Sequence, residues 1–446
     1  MKFKLLILTV ALLCFGAGGA RAIDADLGRF SIAKQKQIRD FAETITNRVP
    51  AMVWRFYDAV RVDDWETATN LAYRLNAASH RFNQATNDES MSPALGTLIW
   101  APIAESYGAY EQFHLWDRRW IHRFGDDVIK SIPSGSIYFG GTDCGRFIIS
   151  VLSESQVEGK PFFTLTQNQL ADSTYIDYLQ SMYGKKIRLP DVEGLQKAFT
   201  DYLADEERRK RLGQLKPGES VRMVNGQPQV SGQVSVMEIN GLLAKSVFDA
   251  NPGREFFVEE SFPLDWMYPN LSPHGLIMQL NREPLTELGE AEVARDRAYW
   301  KKLTDEMLGG WLDDKTSLQA VCDFAQKYGL GDHLDGYPGD KAFAGNSEAR
   351  KCYSKLRSSQ AGLYAWRAEH AKDADERQRM YHAADLAFRQ SYALCPYSPE
   401  AAYRYVNLLV GHQRNDDAIL VMKTIVELVP DNAQYRDMLN QLRQRL

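Results

Sequence analysis

The sequence predicts an α/β domain held between helical segments, and three observations carry that prediction. Apolar residues recur at three- and four-residue spacing from Phe30 to Ser79 and from Leu98 to Ile129, and the helical period returns from Glu287 to the end. Between Pro133 and Pro284 it gives way to short apolar runs, SIYFGG, PFFTLTQN, REFFVEE and GLIMQLN, with helical stretches among them. Strand, helix, strand, helix at this spacing marks a parallel βαβ unit with a right-handed crossover, hence a Rossmann-like α/β domain over residues 131–285.

The amino end reads MKFKLLILTVALLCFGAGGARA, with Lys2 and Lys4 ahead of an apolar run and Ala20 and Ala22 in a small-x-small pattern. This is the layout of a secretory signal peptide over residues 1–22, cleaved after Ala22. The run from Leu5 to Phe15 is shorter than the roughly 20 apolar residues of a spanning helix. No later segment has that length and apolarity, so a soluble mature chain, secreted or periplasmic, is expected. Removing Lys2, Lys4 and Arg21 takes the 53 basic residues to 50 against 58 acidic ones, a net charge of −8. That sign argues against nucleic acid as a partner. At 446 residues the chain exceeds what one core serves, so two or three domains are expected.

Taken in order, the N-terminal helical region (23–130) opens with IRDFAETI, MVWRFYDAV and ETATNLAYRL, Asp63 and Asp64 forming turn and N-cap. An aromatic-rich stretch follows, with Trp100, Tyr107, Tyr110, Phe113, Trp116, Trp120 and Phe124 at helical spacing, which favours a packed face over a sugar platform. In the α/β domain the first strand runs into Gly140, Gly141, Thr142, Asp143, Cys144 and Arg146, and the second into Gln167, Asn168 and Asp172. The parallel unit places these strand ends side by side, where open α/β sheets hold ligands. Asn225–Gly226 signals a hairpin turn. After a helical connector (286–357), Ala384, Phe388 and Pro396 are matched by Ala418, Met422 and Pro430, each pair 34 residues apart. That is the tetratricopeptide (TPR) period, so residues 358–446 are read as TPR-like repeats.

The order IPSGSIYFGGTDCGR, FFTLTQNQLADSTY, EFFVEESFPLDWMYPNLSPHGLIMQLNRE, followed by repeat helices, resembles an uncharacterised family of bacterial secreted TPR proteins. Its α/β part is more distantly similar in layout to the extracytoplasmic C-terminal domain of bacterial multi-pass membrane proteins of glycosyltransferase type. The resemblance implies the layout alone. Those enzymes carry their chemistry in the membrane-embedded half, so it transfers no catalytic residue here.

Candidate chemistry gathers at the strand ends. Gly140, Gly141, Thr142 and Asp143 would accept a sugar hydroxyl or, with Arg146 offsetting the acid, a phosphate; Asp143 as a plain N-cap is the simpler use. The loop lacks the lysine and hydroxyl of a phosphate loop and the spacing of a dinucleotide fingerprint. Gln167, Asn168 and Asp172 offer amide donors and acceptors for a small polar ligand or a glycan. Cys144 with His274 would make a nucleophile and base only if the fold joined them. Glu259, Glu260 and Asp265 are a candidate carboxylate set for glycoside chemistry, with solvated loop acids as the plain alternative. Asp332, His333, Asp335 and Asp340 miss calcium-loop spacing, so neither metal nor cofactor is expected. Of Cys144, Cys322, Cys352 and Cys395, the pair Cys322–Cys352, flanking a turn-rich stretch, is the candidate disulfide.

The expected function is therefore a secreted or periplasmic protein-interaction or assembly module. A protein partner would bind the TPR-like repeats and a small polar ligand the α/β domain. The competing expectation is a glycan-directed transferase or hydrolase with its site at the strand ends.

Overall fold

The computed structural model describes residues 23–45, 48–81, 93–153, 159–224 and 227–444. The expected signal peptide and the Asn225–Gly226 turn lie outside these. In chain order the helices are α1 (Ala25–Ala42), α2 (Ala51–Arg61), α3 (Trp65–Arg81), α4 (Trp100–Leu115) and α5 (Arg118–Ser131). Then come β1 (Ile137–Gly140), α6 (Ile149–Ser153), β2 (Phe163–Thr166), α7 (Ser173–Tyr183), α8 (Val192–Arg211), β3 (Ser220–Val224), β4 (Gln227–Ser231) and α9 (Gln233–Ala250). The last part holds β5 (Phe256–Glu259), β6 (Leu271–His274), β7 (Ile277–Leu280), α10 (Glu290–Leu308), α11 (Leu318–Tyr328), α12 (Lys341–Ala344), α13 (Ser347–His370), α14 (Ala374–Leu394), α15 (Pro399–Gly411), α16 (Asn415–Leu428) and α17 (Ala433–Gln444). Among the described residues no helix is long and apolar enough to cross a membrane.

Local chemistry sets the boundaries. Asp64 accepts the Thr67 amide at the start of α3, Asp117 those of Arg119 and Trp120 in α5, and Asp373 that of Glu376 in α14. Each satisfies an amide that the first helical turn leaves without a partner. Asp117 splits the aromatic-rich stretch into α4 and α5. The chain forms two compact units, one from residues up to His114 with Ser150–Arg254, the other from Leu115–Ile149 with Glu255–Leu446.

In the first unit, Lys34 is 2 % exposed and donates to Glu105 and to the Tyr178 hydroxyl, both at 2.6 Å. Burial holds the Lys34 pKa below its ordinary value, against the pull of Glu105. The hairpin β3–β4 is antiparallel, with Val224 opposite Gln227.

In the second unit the strand order is β1-β5-β7-β6. β1 and β5 are parallel, with Gly140 opposite Glu259. β7 is antiparallel to β5, and β6 to β7, the hairpin closing at Gly275 with φ +62°. This part of the sheet is therefore mixed, one parallel pair followed by two antiparallel ones. The proline-rich stretch SFPLDWMYPNLSPH supplies β6 at its end, with Pro273 on an outer strand where a missing amide is tolerated. Every residue of IYFG and FFVE is buried, which explains why these strands read as unbroken apolar runs.

α13 ties this sheet to the helices that follow. Gln360 donates to the carbonyls of Gly275 and Ile277, and Arg367 to those of Leu285 and Pro269. Arg357, 1 % exposed, bonds Asp296 at 2.8 Å and Gln390 at 2.8 Å, while Tyr364 donates to the same Asp296 oxygen. Arg350 donates to the carbonyls of Gly329 and Leu394 at the ends of α11 and α14, where a cation also meets the negative helix pole. α13 packs on α14, α14 on α15, α15 on α16 and α16 on α17. Ala384 and Ala418 are fully buried at these contacts, and Pro396 and Pro430 follow the ends of α14 and α16.

Candidate binding groove

The glycine-rich turn after β1 is filled by the protein itself. Glu259, the last residue of β5, is 0 % exposed and accepts hydrogen bonds from the amides of Gly141 (3.2 Å) and Thr142 (3.0 Å) and from the Thr142 hydroxyl (2.5 Å). A Cβ at Gly145 would collide with the Glu259 carboxylate, and one at Gly141 with that of Glu260. The amides that hold an anionic ligand in other strand-to-helix turns here hold an internal carboxylate. Burial raises the Glu259 pKa, offset in part by these donors. The expectation of Glu259 and Glu260 as loop acids is thereby corrected: both are buried, and Glu260 accepts the amides of Ser261 and Phe262.

Asp143 is not the N-cap expected. Its backbone is already helical and its side chain caps nothing; instead it pairs with Arg146 at 2.7 Å, the offset foreseen from the sequence. The cap falls to Thr142, whose hydroxyl accepts the Gly145 amide at 3.1 Å.

Cys144 is bonded to Cys352 on α13, which overturns both the Cys322–Cys352 pairing and the thiol nucleophile. Cys322 and Cys395 are buried and free, and burial pushes the Cys322 thiol up to about 11. The physical reason is distance in sequence: a partner 208 residues away leaves no local trace. His274 instead contacts the Ser131 carbonyl at 2.8 Å. Asp340 caps α12 through the Phe343 amide.

Gln167, Asn168 and Asp172 belong to the other unit. Gln167 is buried; the Asn168 carbonyl accepts from Asn240, and Asp172 caps α7 through Thr174.

An open concavity of the second unit lies elsewhere, between the turn Asp265–Asn270, α13 and α15. A groove of about 490 Å³ is lined by Asp265, Tyr268, Trp366, Glu369, Arg404 and Asn407, among others. A smaller hollow of about 320 Å³ shares Arg404 and Asn407 and adds Phe262, Pro399 and Tyr403. Tyr268 stacks on Trp366 with ring centroids 5.7 Å apart, and His370 on Trp366 at 4.1 Å. Phe262 is 54 % exposed, with the Arg404 guanidinium 4.0 Å above its ring.

Arg404 is the unusual group. It donates to the Ser358 carbonyl at 3.2 Å and bonds the Tyr268 hydroxyl, and among the described residues no carboxylate lies within ion-pair distance. Nearby Glu400 is committed to Lys355 at 3.1 Å. Burial lowers the Arg404 pKa, with Tyr268 and the more distant Glu400 and Glu260 opposing. A desolvated guanidinium that keeps its charge among neutral partners is poised for an incoming acceptor. Sequence reasoning missed this groove because Phe262, Trp366 and Arg404 sit on three separated segments, each ordinary alone. The one available signal was the density of aromatic residues and prolines in SFPLDWMYPNLSPH. No protein-family model, curated protein or solved structure matches this chain.

Proposed function

We propose that the protein is a secreted or periplasmic interaction module whose C-terminal TPR-like helices bind an extended segment of a partner protein in the groove beside Arg404. The observation that carries this reading is the joined pair of hollows with an aromatic floor, an exposed amide at Asn407 and an ion-unpaired guanidinium at their shared edge. Such a surface meets the needs of peptide recognition: apolar pockets for side chains, with polar groups for the main chain between them. The repeat reading rests on the 34-residue spacing and on the buried small residues Ala384 and Ala418. A glycan-directed enzyme at the strand ends would need open acids there. Glu259 and Glu260 are buried against backbone amides, which favours binding over catalysis and moves ligand recognition away from Gly140–Arg146.

The test is site-specific photo-crosslinking of the full chain in an envelope fraction. A photoreactive residue at Asn407 is expected to give a discrete adduct that disappears with Trp366→Ala, whereas one at the exposed Lys423 on α16 gives none. Identical products from both positions, or none from Asn407, would sink the reading.

A further inference from the structure

The groove offers two charges of opposite sign, Arg404 and Glu369, that form no ion pair among the described residues. Arg404 has only neutral hydrogen-bond partners. Glu369, exposed on α13 and lining the same groove, forms no ion pair among the described residues, and Asp265 is exposed on the facing turn. The rings of Tyr268, Trp366 and Phe388 line the same groove. A purely acidic ligand would gain at Arg404 and be repelled by Glu369 and Asp265, and a purely basic one the reverse. A ligand carrying one charge of each sign on either side of an apolar group satisfies all three regions.

We propose that the groove selects a peptide segment of mixed charge, with an aromatic or proline side chain on the Tyr268–Trp366 floor, a carboxylate at Arg404 and a lysine or arginine at Glu369. This rests on the peptide-binding reading and specifies its partner. Asn407, beside Arg404, is placed to bond the segment's main chain, and the hollow of Phe262, Pro399 and Tyr403 accepts a further apolar side chain beyond the carboxylate.

Isothermal titration calorimetry of the full chain with capped pentapeptides tests it. The probes carry Asp-Trp-Lys and Lys-Trp-Asp centres, each compared with forms in which Asn replaces Asp, Gln replaces Lys, or both. One of the two mixed-charge orders is expected to bind at least about tenfold tighter than the doubly neutral peptide, a difference of about 1.4 kcal/mol. R404Q should abolish the gain that depends on Asp and keep the gain that depends on Lys; E369Q should do the opposite. Glu369 is exposed, so E369Q tests the proposal alone if R404Q fails to fold. Neutral and mixed peptides binding equally would overturn the charge selection and leave peptide binding standing. No peptide binding at millimolar concentration, or binding of an uncharged oligosaccharide in their place, would overturn both.

Discussion

The Thr142 hydroxyl donates to the Glu259 carboxylate at 2.5 Å across 117 residues of chain, and the Gly141 and Thr142 amides converge on the same group. Burial is the larger influence and raises the Glu259 pKa above its ordinary 4.5. The folded chain then keeps a proton that the unfolded chain has released, so this group favours folding most below 4.5. That contribution falls as pH rises through the raised folded value and levels off beyond it. Against Glu259→Gln, the wild-type urea midpoint is expected to drop as pH rises above 4.5 and to level off once the raised folded value is passed. A pH-independent difference between the two proteins would show that Glu259 titrates normally.

The disulfide Cys144–Cys352 closes a separation of 208 residues. In the chain-entropy view, a loop this long contributes up to about 5 kcal/mol. Cys144→Ser and Cys352→Ser should each lower the denaturant midpoint, and the double variant should lose no more than either single one. Thiol titration of unfolded, unreduced protein lacking residues 1–22 is expected to find Cys322 and Cys395 only. Additive losses in the double variant would contradict the bond.

Arg357 and Asp296 are buried together, each side chain 2 % exposed. Asp296→Ala strands the guanidinium and should cost about 3 to 5 kcal/mol, whereas the pair Asp296→Leu with Arg357→Met should recover most of that. Thermal melts of the two variants decide it. A single variant no worse than the pair would mean that Gln390 and Gln360 suffice for Arg357.

Ala384 and Ala418 are both 0 % exposed at the helix contacts. Ala384→Leu or Ala418→Leu should destabilise by about 1 to 3 kcal/mol through overpacking. Ala433→Leu, at the exposed start of α17, is expected to be neutral in the same urea titration.

What was legible in the sequence was whatever chemistry acts within a few residues. Asp64 caps α3, and the four apolar runs are strands, because caps and burial periods are local. β6 was hidden by Pro273, which lowers strand propensity but costs nothing on an outer strand. The Gly140–Arg146 turn was visible as a turn, and its filling was not: Glu259 comes from a strand that the crossover brings alongside β1. The groove was invisible for the same reason, since Tyr268, Trp366 and Arg404 meet only after α13 has docked on the β6–β7 hairpin.

The bond between Cys144 and Cys352 also changes what a cut in the chain can do. Residues 144 to 352 form a closed covalent circuit, and the whole stretch Ser150–Arg254 is part of it. A protease acting anywhere in that stretch opens the circuit without parting the two pieces. The N-terminal helices stay attached to the groove-bearing end for as long as the sulfurs remain joined.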